Sequence, residues 1–400
     1  MTEPIYYDNP MVQRCKAVIT TFSEDRRTVV LDRTCFYPEG GGQPGDRGTV
    51  DHLPVTGTTG EPHTGVLHHL EKPLPADYGP GSTVEAALDW SHRYEYMQQH
   101  TGQHLLSGAL YRVAEITTMS VHQGAEVVTI EVDAEDIPDS TLQLVEDEAN
   151  RVIALDRRVR TFEVDHADLA RYSLRRPTER NGTVRLVEIE DFDLVACGGV
   201  HLPRTGLLNV VKTVGSETIR GRRRLSFKIG DRALADYRLK HQAITTAAEL
   251  FSSRADQVPD RIRSTQEELQ SLHRTVRKQA QRIASLLLPD DMEMTGPFHL
   301  VLEDEVEEIF KALAERATED PRRRIALVNV RPDAVHWAIV VGPDYPFPQQ
   351  EIRERVLKPA SAKGGGKPPL WRGVIPGQGN RRDDREEARR FIKSFIGIWE

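Results

Sequence analysis

The chain has 400 residues, of which 38% are hydrophobic and 28% charged, a composition typical of a folded globular protein rather than a disordered or membrane-spanning one. This length exceeds one hydrophobic core, so we expect more than one domain. A net charge of -8 argues against a protein that coats nucleic acid without specificity. The polar N-terminus lacks the apolar run of a secretory signal, and no segment reaches the ~18 apolar residues of a membrane span. We therefore expect a cytoplasmic protein.

The first part of the chain is predicted to be β-rich. Between about 13 and 88, the short β-prone runs AVITTF, RTVVLD and STVEAAL are separated by Gly, Pro and Asp, which indicates a small β-barrel or twisted sheet. Helical spacing begins near 89, with Asp89 or Ser91 as the candidate N-cap. A strand at 126–132, a helix over 139–153 and a strand at 185–190 follow. The region up to about 230 is thus α+β.

Residues 231–288 predict two helices that are interrupted around Ser252 to Pro259 and form a hairpin. Apolar residues fall near heptad spacing, and we expect packing within the chain to cover this stripe, although another domain or a second chain are alternatives. Beyond it, strands at 324–330 and 334–342 and a helix over 383–398 predict a C-terminal α/β domain. The segment 363–380 is too rich in Gly and Pro for either element. The predicted domains are 1–90, 91–230, 231–290 and 297–400, and the overall class is α+β.

Two short motifs could bind one metal ion. In HTGQH, His100 and His104 are four residues apart on the predicted helix, so both imidazoles project from one face about 6 Å apart. In ACGGVH, Cys197 and His201 flank two glycines that let a loop turn both side chains to one point. Only three cysteines occur, so the thiols are expected to be reduced. Together the pairs form a His3Cys set typical of zinc, structural or catalytic.

A glycine-rich stretch, TCFYPEGGGQPGDRGTV at 34–50, is the third motif. It lacks the lysine and the following helix of a nucleotide-binding P-loop, and Pro44 and Asp46 indicate a turn between strands. A plain β-turn would explain it. Alternatively, the glycines let backbone N–H groups approach a substrate, with Thr34 and Gln43 reading a small polar group.

The remaining basic and imidazole groups carry weaker signals. We interpret RGRRR at 220–224 and PRRR at 321–324 as solvated loops, with phosphate contacts as the alternative. The histidines at 63, 68 and 69 are expected mostly at the surface, and His122 is the one expected to line a pocket.

The three motifs, in this order, closely resemble the editing domain of alanyl-tRNA synthetase, which also occurs as free-standing AlaX-type alanyl-tRNA editing proteins. The resemblance continues through RGRRRLSFKIGDRAL at 220–234. It reaches KGGGKPPLWRG, which is similar to the C-terminal domain shared with DHH-type phosphoesterases. One departure is Val200, where the family usually has threonine in CGGTH. Valine keeps the shape of threonine but removes its hydroxyl, so rate or substrate range would differ.

The resemblance implies a self-standing, zinc-dependent hydrolase that removes serine, and glycine as a second substrate, from mischarged tRNA(Ala). It implies one zinc ion per chain on His100, His104, Cys197 and His201, with catalytic roles for Thr34 and Gln43. Thr34 is the candidate contact to the serine hydroxyl. A buried polar group that pairs with serine is left unpaired by alanine, and this difference lets the site distinguish serine from alanine. The substrate-binding residues it implies are Gly40, Gly41, Gly42, Arg223, Lys363, Lys367 and Arg372. It also implies a homodimer through the hairpin or the C-terminal domain. The alternatives are a non-catalytic tRNA-binding module with structural zinc and, from a similar ligand pattern in threonyl-tRNA synthetases, another misacylated tRNA.

Overall fold

The computed structural model describes residues 1–179, 181–292, 296–377 and 380–399. The chain divides into two compact units, Met1–Thr246 and Ala247–Glu400. Among the described residues, no helix is both long and apolar enough to cross a bilayer.

A closed β-barrel occupies the start of the first unit, as predicted. Its strands follow one another around the barrel in the order β2-β3-β7-β6-β5-β8. Alternate residues such as Val29 and Leu31 on β3 point inward and are fully buried, which is the pattern of a strand with one face in a core. The elements of this region are β1 (Glu3–Pro4), α1 (Ile5–Asp8), β2 (Arg14–Phe22), β3 (Thr28–Leu31), β4 (Arg33–Thr34), β5 (Gly48–Val50), β6 (Leu53–Glu61), β7 (Gly65–Leu70) and β8 (Thr83–Leu88).

The long helix α2 (Trp90–Ala114) follows the barrel and confirms the first predicted helix. Asp89 is its N-cap, because the Asp89 carboxylate accepts a hydrogen bond of 3.3 Å from the N–H of His92. From Met97 to Leu110 every side chain of α2 is buried. A helix buried on all sides can carry a polar site in its middle that solvent does not reach.

The rest of the first unit is built around α2. One sheet has the strand order β14-β15-β10-β9 and a second one β11-β12-β13. The apolar residues of α2 and α3 share one core with the first of these sheets, for example Leu106, Val145 and Phe227. The elements are β9 (Thr118–Gln123), β10 (Val128–Val132), α3 (Asp139–Ala154), β11 (Val159–Asp165), β12 (Thr183–Ile189), β13 (Asp193–Ala196), β14 (Val211–Ile219), β15 (Arg222–Ile229) and α4 (Asp231–Leu250).

The second unit contains a mixed sheet of order β16-β17-β18-β20-β19, in which only the β16–β17 pair of the described strands is parallel. Helices α6 and α8 contribute Leu313 and Phe391 to the cores beside it. The elements are α5 (Val258–Leu287), β16 (Phe298–Glu303), α6 (Glu307–Ala317), β17 (Arg324–Val330), β18 (Ala334–Val341), α7 (Gln349–Glu351), β19 (Lys363–Lys367), β20 (Leu370–Pro376) and α8 (Arg381–Ile396).

The prediction that 363–380 forms neither helix nor strand is wrong. Its first part forms the paired strands β19 and β20, whereas residues 378 and 379 lie outside the described residues. The glycines make this pairing possible, since a Cβ on Gly364 would lie 2.4 Å from the carbonyl oxygen of Arg372. Glycine here marks a close approach of two backbones rather than a loop.

The two predicted helices, interrupted near residue 252, are confirmed. The prediction that packing within the chain covers the apolar stripe on α5 is not confirmed. Leu269 and Leu272 are 52% and 55% exposed, and Ile262 and Val276 are also exposed. The buried residues described on α5 are Val258 at its start and Ala280 and Ala284 in its last turns. Ala280 and Ala284 join the core of α6. Alanine at these two positions lets α6 approach closely. The larger residues earlier in α5 do not allow such an approach.

Candidate metal centre

The four side chains of the predicted His3Cys set converge in the first unit. His100 and His104 come from the buried middle of α2, and Cys197 and His201 from the loop after β13. One ligand atom from each residue lies within 4.8 Å of all the others. Neighbouring ligand atoms in a tetrahedral zinc site are roughly 3.5 Å apart, so a small contraction would suffice to bind one ion.

The surroundings of these imidazoles suit a metal ion. All three are buried, and the Nδ1 of His104 and the Nε2 of His201 have no hydrogen-bond partner among the described residues. Burial lowers the pKa of His100 to about 3 and holds those of His104 and His201 well below the ordinary value. The rings are therefore neutral and offer lone pairs, and buried atoms without partners are costly unless something binds them.

Gln43 connects the glycine-rich loop to this cluster. Its Oε1 lies 2.7 Å from the Nδ1 of His100 and accepts the N–H of Val200 at 3.1 Å. The Gln43 side chain is buried, and its Nε2 has no partner among the described residues. The sequence therefore located a residue at the site, and the structure adds a contact to His100 that spacing could not reveal.

Gly199 is required by the close packing of this loop. A Cβ at this position would lie 2.2 Å from Cε1 and 2.5 Å from Nδ1 of His100, and 2.8 Å from Oε1 of Gln43. No side chain fits there without moving a metal-ligand candidate. Gly199 thus serves close approach as well as loop flexibility.

The glycine-rich loop itself forms a tight turn. Gly40 and Gln43 exchange backbone hydrogen bonds of 3.1 and 3.0 Å, and Gly41 and Gly42 have φ of +59° and +83°. Two successive positive φ values are characteristic of a type I′ turn, which favours glycine. The turn directs the side chain of Gln43 into the interior, while Gly41 and Gly42 stay exposed.

Thr34 is fully buried, and its hydroxyl is already engaged. Thr34 Oγ1 lies 2.8 Å from the Nε2 of His68 and accepts the N–H of Phe36 at 3.0 Å.

The expectation that His68 lies at the surface is wrong, because this ring is completely buried in the barrel and its Nδ1 contacts the carbonyl of Val29 at 3.2 Å. His122, expected to line a pocket, is exposed. Successive side chains on β7 point to opposite faces of the barrel wall, so His68 points inward and its neighbour His69 points outward.

A buried ion pair that the sequence did not reveal joins the barrel to α2. The guanidinium of Arg93 contacts the carboxylate of Asp46 through Nε at 3.0 Å and also through Nη2. Asp46 also accepts the N–H of Tyr37, and Arg93 donates to the carbonyl of Cys35 at 2.6 Å. Both charged side chains are essentially inaccessible. This pair fixes the glycine-rich loop relative to the helix that carries His100 and His104.

The predicted basic contacts lie on other elements than the four ligand candidates. Arg223 is half-buried on β15 and donates to the Thr218 hydroxyl at 3.2 Å. Lys363 and Lys367 on β19 and Arg372 on β20 are exposed in the second unit. In PRRR, Arg323 is buried rather than solvated, and it donates to the carbonyl of Arg316 at 2.9 Å.

Comparisons with known proteins relate parts of this chain to tRNA synthetases. Residues 7–92 match the family model of tRNA synthetases class II (A), and residues 184–226 match the threonyl and alanyl tRNA synthetase second additional domain. The chain is 34% identical to the alanyl-tRNA editing protein AlaX-L of Pyrococcus horikoshii, over 54% of this chain and 54% of that protein. Over this part, the chain is thus similar to an AlaX-type alanyl-tRNA editing protein.

The chain also resembles complete synthetases. It is 30% identical to the alanine–tRNA ligase of Pyrococcus furiosus, over 99% of this chain and 43% of the ligase. Among solved structures it matches the C-Ala domain from Aquifex aeolicus alanyl-tRNA synthetase, with 24% identity over 26% of this chain and 96% of that domain and a TM-score of 0.21. The chain thus spans about half the length of the curated relatives it matches.

Proposed function

We propose that this chain hydrolyses the ester bond of mischarged tRNA(Ala), with serine as the main aminoacyl group and glycine as a second one. The observation that carries the proposal is the convergence of His100, His104, Cys197 and His201 on one point. This convergence occurs in a chain that is similar to an alanyl-tRNA editing protein. The bond broken joins the aminoacyl carbonyl to a hydroxyl of the terminal ribose, which leaves as water adds to the carbonyl.

The proposal includes one zinc ion per chain, held by these four side chains. The three neutral imidazoles and one thiol are the donor set that zinc prefers, and two of the buried ring nitrogens otherwise have no partner among the described residues. When bound, zinc supplies Lewis acidity that can polarise an ester carbonyl or a water molecule.

Recognition of the aminoacyl group is proposed for the glycine-rich loop. The Nε2 of Gln43 carries two N–H donors without a partner among the described residues, so a serine hydroxyl could accept one and alanine could not. Gly40, Gly41 and Gly42 give the backbone of the turn close access to the substrate. Thr34 is the other candidate for recognising the serine hydroxyl. To do so, the Thr34 hydroxyl would have to give up its hydrogen bond with His68 and bond to the substrate instead.

Contacts to the tRNA are proposed for Arg223 in the first unit and for Lys363, Lys367 and Arg372 in the second. These cations are half-exposed or exposed, as phosphate contacts require. A homodimer is proposed through the exposed apolar stripe of α5 (Ile262, Leu269, Leu272 and Val276), since a stripe of this length is normally covered by a partner helix.

The direct test is deacylation of Ser-, Gly-, Ala- and Thr-charged tRNA by the purified full chain, with zinc content measured on the same sample. We expect hydrolysis of Ser-tRNA(Ala) to exceed that of Ala-tRNA(Ala), and we expect Cys197→Ala to remove both zinc and activity. His122→Ala is the matched control, because this exposed histidine should change neither. Full activity in metal-free protein would contradict the zinc assignment, and preferred hydrolysis of another misacylated tRNA would contradict the alanine assignment.

A non-catalytic tRNA-binding module is the second candidate. The observation that favours it is that four protein ligands close a tetrahedral zinc site, as is usual for structural zinc. Stoichiometric zinc and tRNA binding without hydrolysis of any aminoacyl-tRNA in the panel would support this function instead.

A further inference from the structure

Two side chains far apart in sequence hold three successive carbonyl groups of the ACGGVH loop. The Nη1 of Arg185, on β12, donates to the carbonyl oxygen of Cys197 at 2.8 Å and to that of Gly199 at 2.9 Å. The hydroxyl of Tyr7, on α1, donates to the carbonyl oxygen of Gly198 between them at 3.1 Å. The guanidinium of Arg185 lies 4.6 Å above the ring of Tyr7, so the two donors also stabilise each other.

The same contacts direct the N–H groups of the loop. In a trans peptide, the C=O and the following N–H point in opposite directions. Tyr7 holds the carbonyl of Gly198, and the N–H of Gly199 consequently faces the Sγ of Cys197 at 3.4 Å. Arg185 holds the carbonyl of Gly199, and the N–H of Val200 faces the Oε1 of Gln43 at 3.1 Å. Arg185 and Tyr7 thus hold the carbonyls of the loop, while its N–H groups face Cys197 and Gln43.

This clamp compensates for the flexibility of the loop. Gly198 and Gly199 have more conformational freedom than other residues and lose more of it when ordered. Gly199 cannot be replaced by a stiffer residue, because its Cβ would clash with His100. External hydrogen bonds are therefore the means by which a loop of this sequence can present Cys197 in one orientation.

We propose that Arg185 and Tyr7 are positioning residues that fix the ACGGVH loop so that Cys197 and His201 can bind a divalent metal ion together with His100 and His104. This inference rests on the proposed metal centre. Both residues hold the loop through its backbone carbonyls, which is a positioning role. Residues that orient metal ligands in this way typically change metal affinity 10- to 100-fold when removed.

The test uses Co²⁺ as the probe, titrated into metal-free full-length protein. We expect Arg185→Met to weaken Co²⁺ binding roughly 10- to 100-fold and to lower the thiolate-to-cobalt charge-transfer band per bound ion. Tyr7→Phe removes one hydrogen bond but keeps the ring under Arg185, so we expect a smaller loss of about 5-fold. Arg185→Lys keeps a cationic donor and should recover part of the affinity.

Arg160→Met is the matched control, because Arg160 is an exposed arginine of the same β11-β12-β13 sheet and pairs with Glu188. It should bind Co²⁺ within twofold of the unmodified chain and keep its spectrum. If Arg185→Met fails to fold, Tyr7→Phe decides the question by itself. Wild-type affinity and spectrum in Tyr7→Phe and in folded Arg185→Met would overturn the clamp. Absence of Co²⁺ binding by the unmodified chain would instead overturn the metal centre, and the clamp with it.

Discussion

Gln43 fixes the tautomer of His100. The Oε1 of Gln43 lies 2.7 Å from the Nδ1 of His100 and 3.1 Å from the backbone nitrogen of Val200. A backbone N–H can only donate, so the amide atom that faces both groups must be the oxygen. His100 therefore carries its proton on Nδ1, and the lone pair of its Nε2 is directed toward the Sγ of Cys197, 3.4 Å away. A metal-binding histidine is commonly oriented by such a partner.

Replacing Gln43 separates metal binding from substrate recognition. Gln43→Met removes the acceptor, and we expect roughly 10-fold weaker zinc binding, measured by competition with a chelator. Gln43→Glu keeps an acceptor for both donors but loses the N–H groups proposed to read serine. It should retain zinc and lose the preference for Ser-tRNA(Ala) over Ala-tRNA(Ala) in deacylation. Unchanged zinc affinity in Gln43→Met would exclude the orienting role.

The sequence predicted the metal-ligand candidates because their spacing is local. His100 and His104 are one helical turn apart, and Cys197 and His201 flank two glycines, so each pair is visible in five residues. The barrel and the long helices were predicted for the same reason, since their apolar periodicity is local too.

Contacts between distant segments could not be predicted. Arg93 and Asp46 are 47 residues apart, and Tyr7 and Gly198 are 191 apart. Nothing in the residues near Tyr7 or Arg185 indicates which carbonyl each will meet. The error at 363–380 has another cause, because glycine serves both turns and closely packed strands, and only the partner strand decides between them.

Gly199→Ala tests the close approach of the ACGGVH loop to α2. The added methyl would overlap His100 and Gln43, so we expect loss of zinc binding and a decrease of roughly 1–3 kcal/mol in the free energy of unfolding. Zinc content and urea unfolding measure the two effects. The control is Gly57→Ala, since a Cβ at Gly57 meets nothing within 4 Å. It should change stability by less than about 0.5 kcal/mol.

Asp46→Asn tests the buried pair between the barrel and α2. Removing one charge leaves the guanidinium of Arg93 buried without compensation, which typically costs roughly 3–5 kcal/mol. Urea unfolding of the full chain measures this loss. Glu85→Gln breaks an exposed pair with Arg14 in the same barrel, whose side chains are 49% and 71% exposed, and should cost less than about 1 kcal/mol. Equal effects of the two substitutions would show that burial of the Asp46–Arg93 pair does not matter.

His68 makes the stability of the barrel depend on pH. Burial lowers the pKa of His68 from an ordinary value of 6.5 to about 4. Between these values the unfolded chain binds a proton that the folded chain does not, so acid favours unfolding. The free energy of unfolding is therefore unaffected by the titration of His68 above pH 6.5 and decreases as the pH falls to about 4. The full decrease is about 3 kcal/mol. His68→Gln should flatten the pH dependence of the unfolding free energy in this window, whereas the exposed His122→Gln should follow the unmodified chain. If the free energy of unfolding varied with pH in the same way for His68→Gln and the unmodified chain, the buried ring would not be the source of the acid sensitivity.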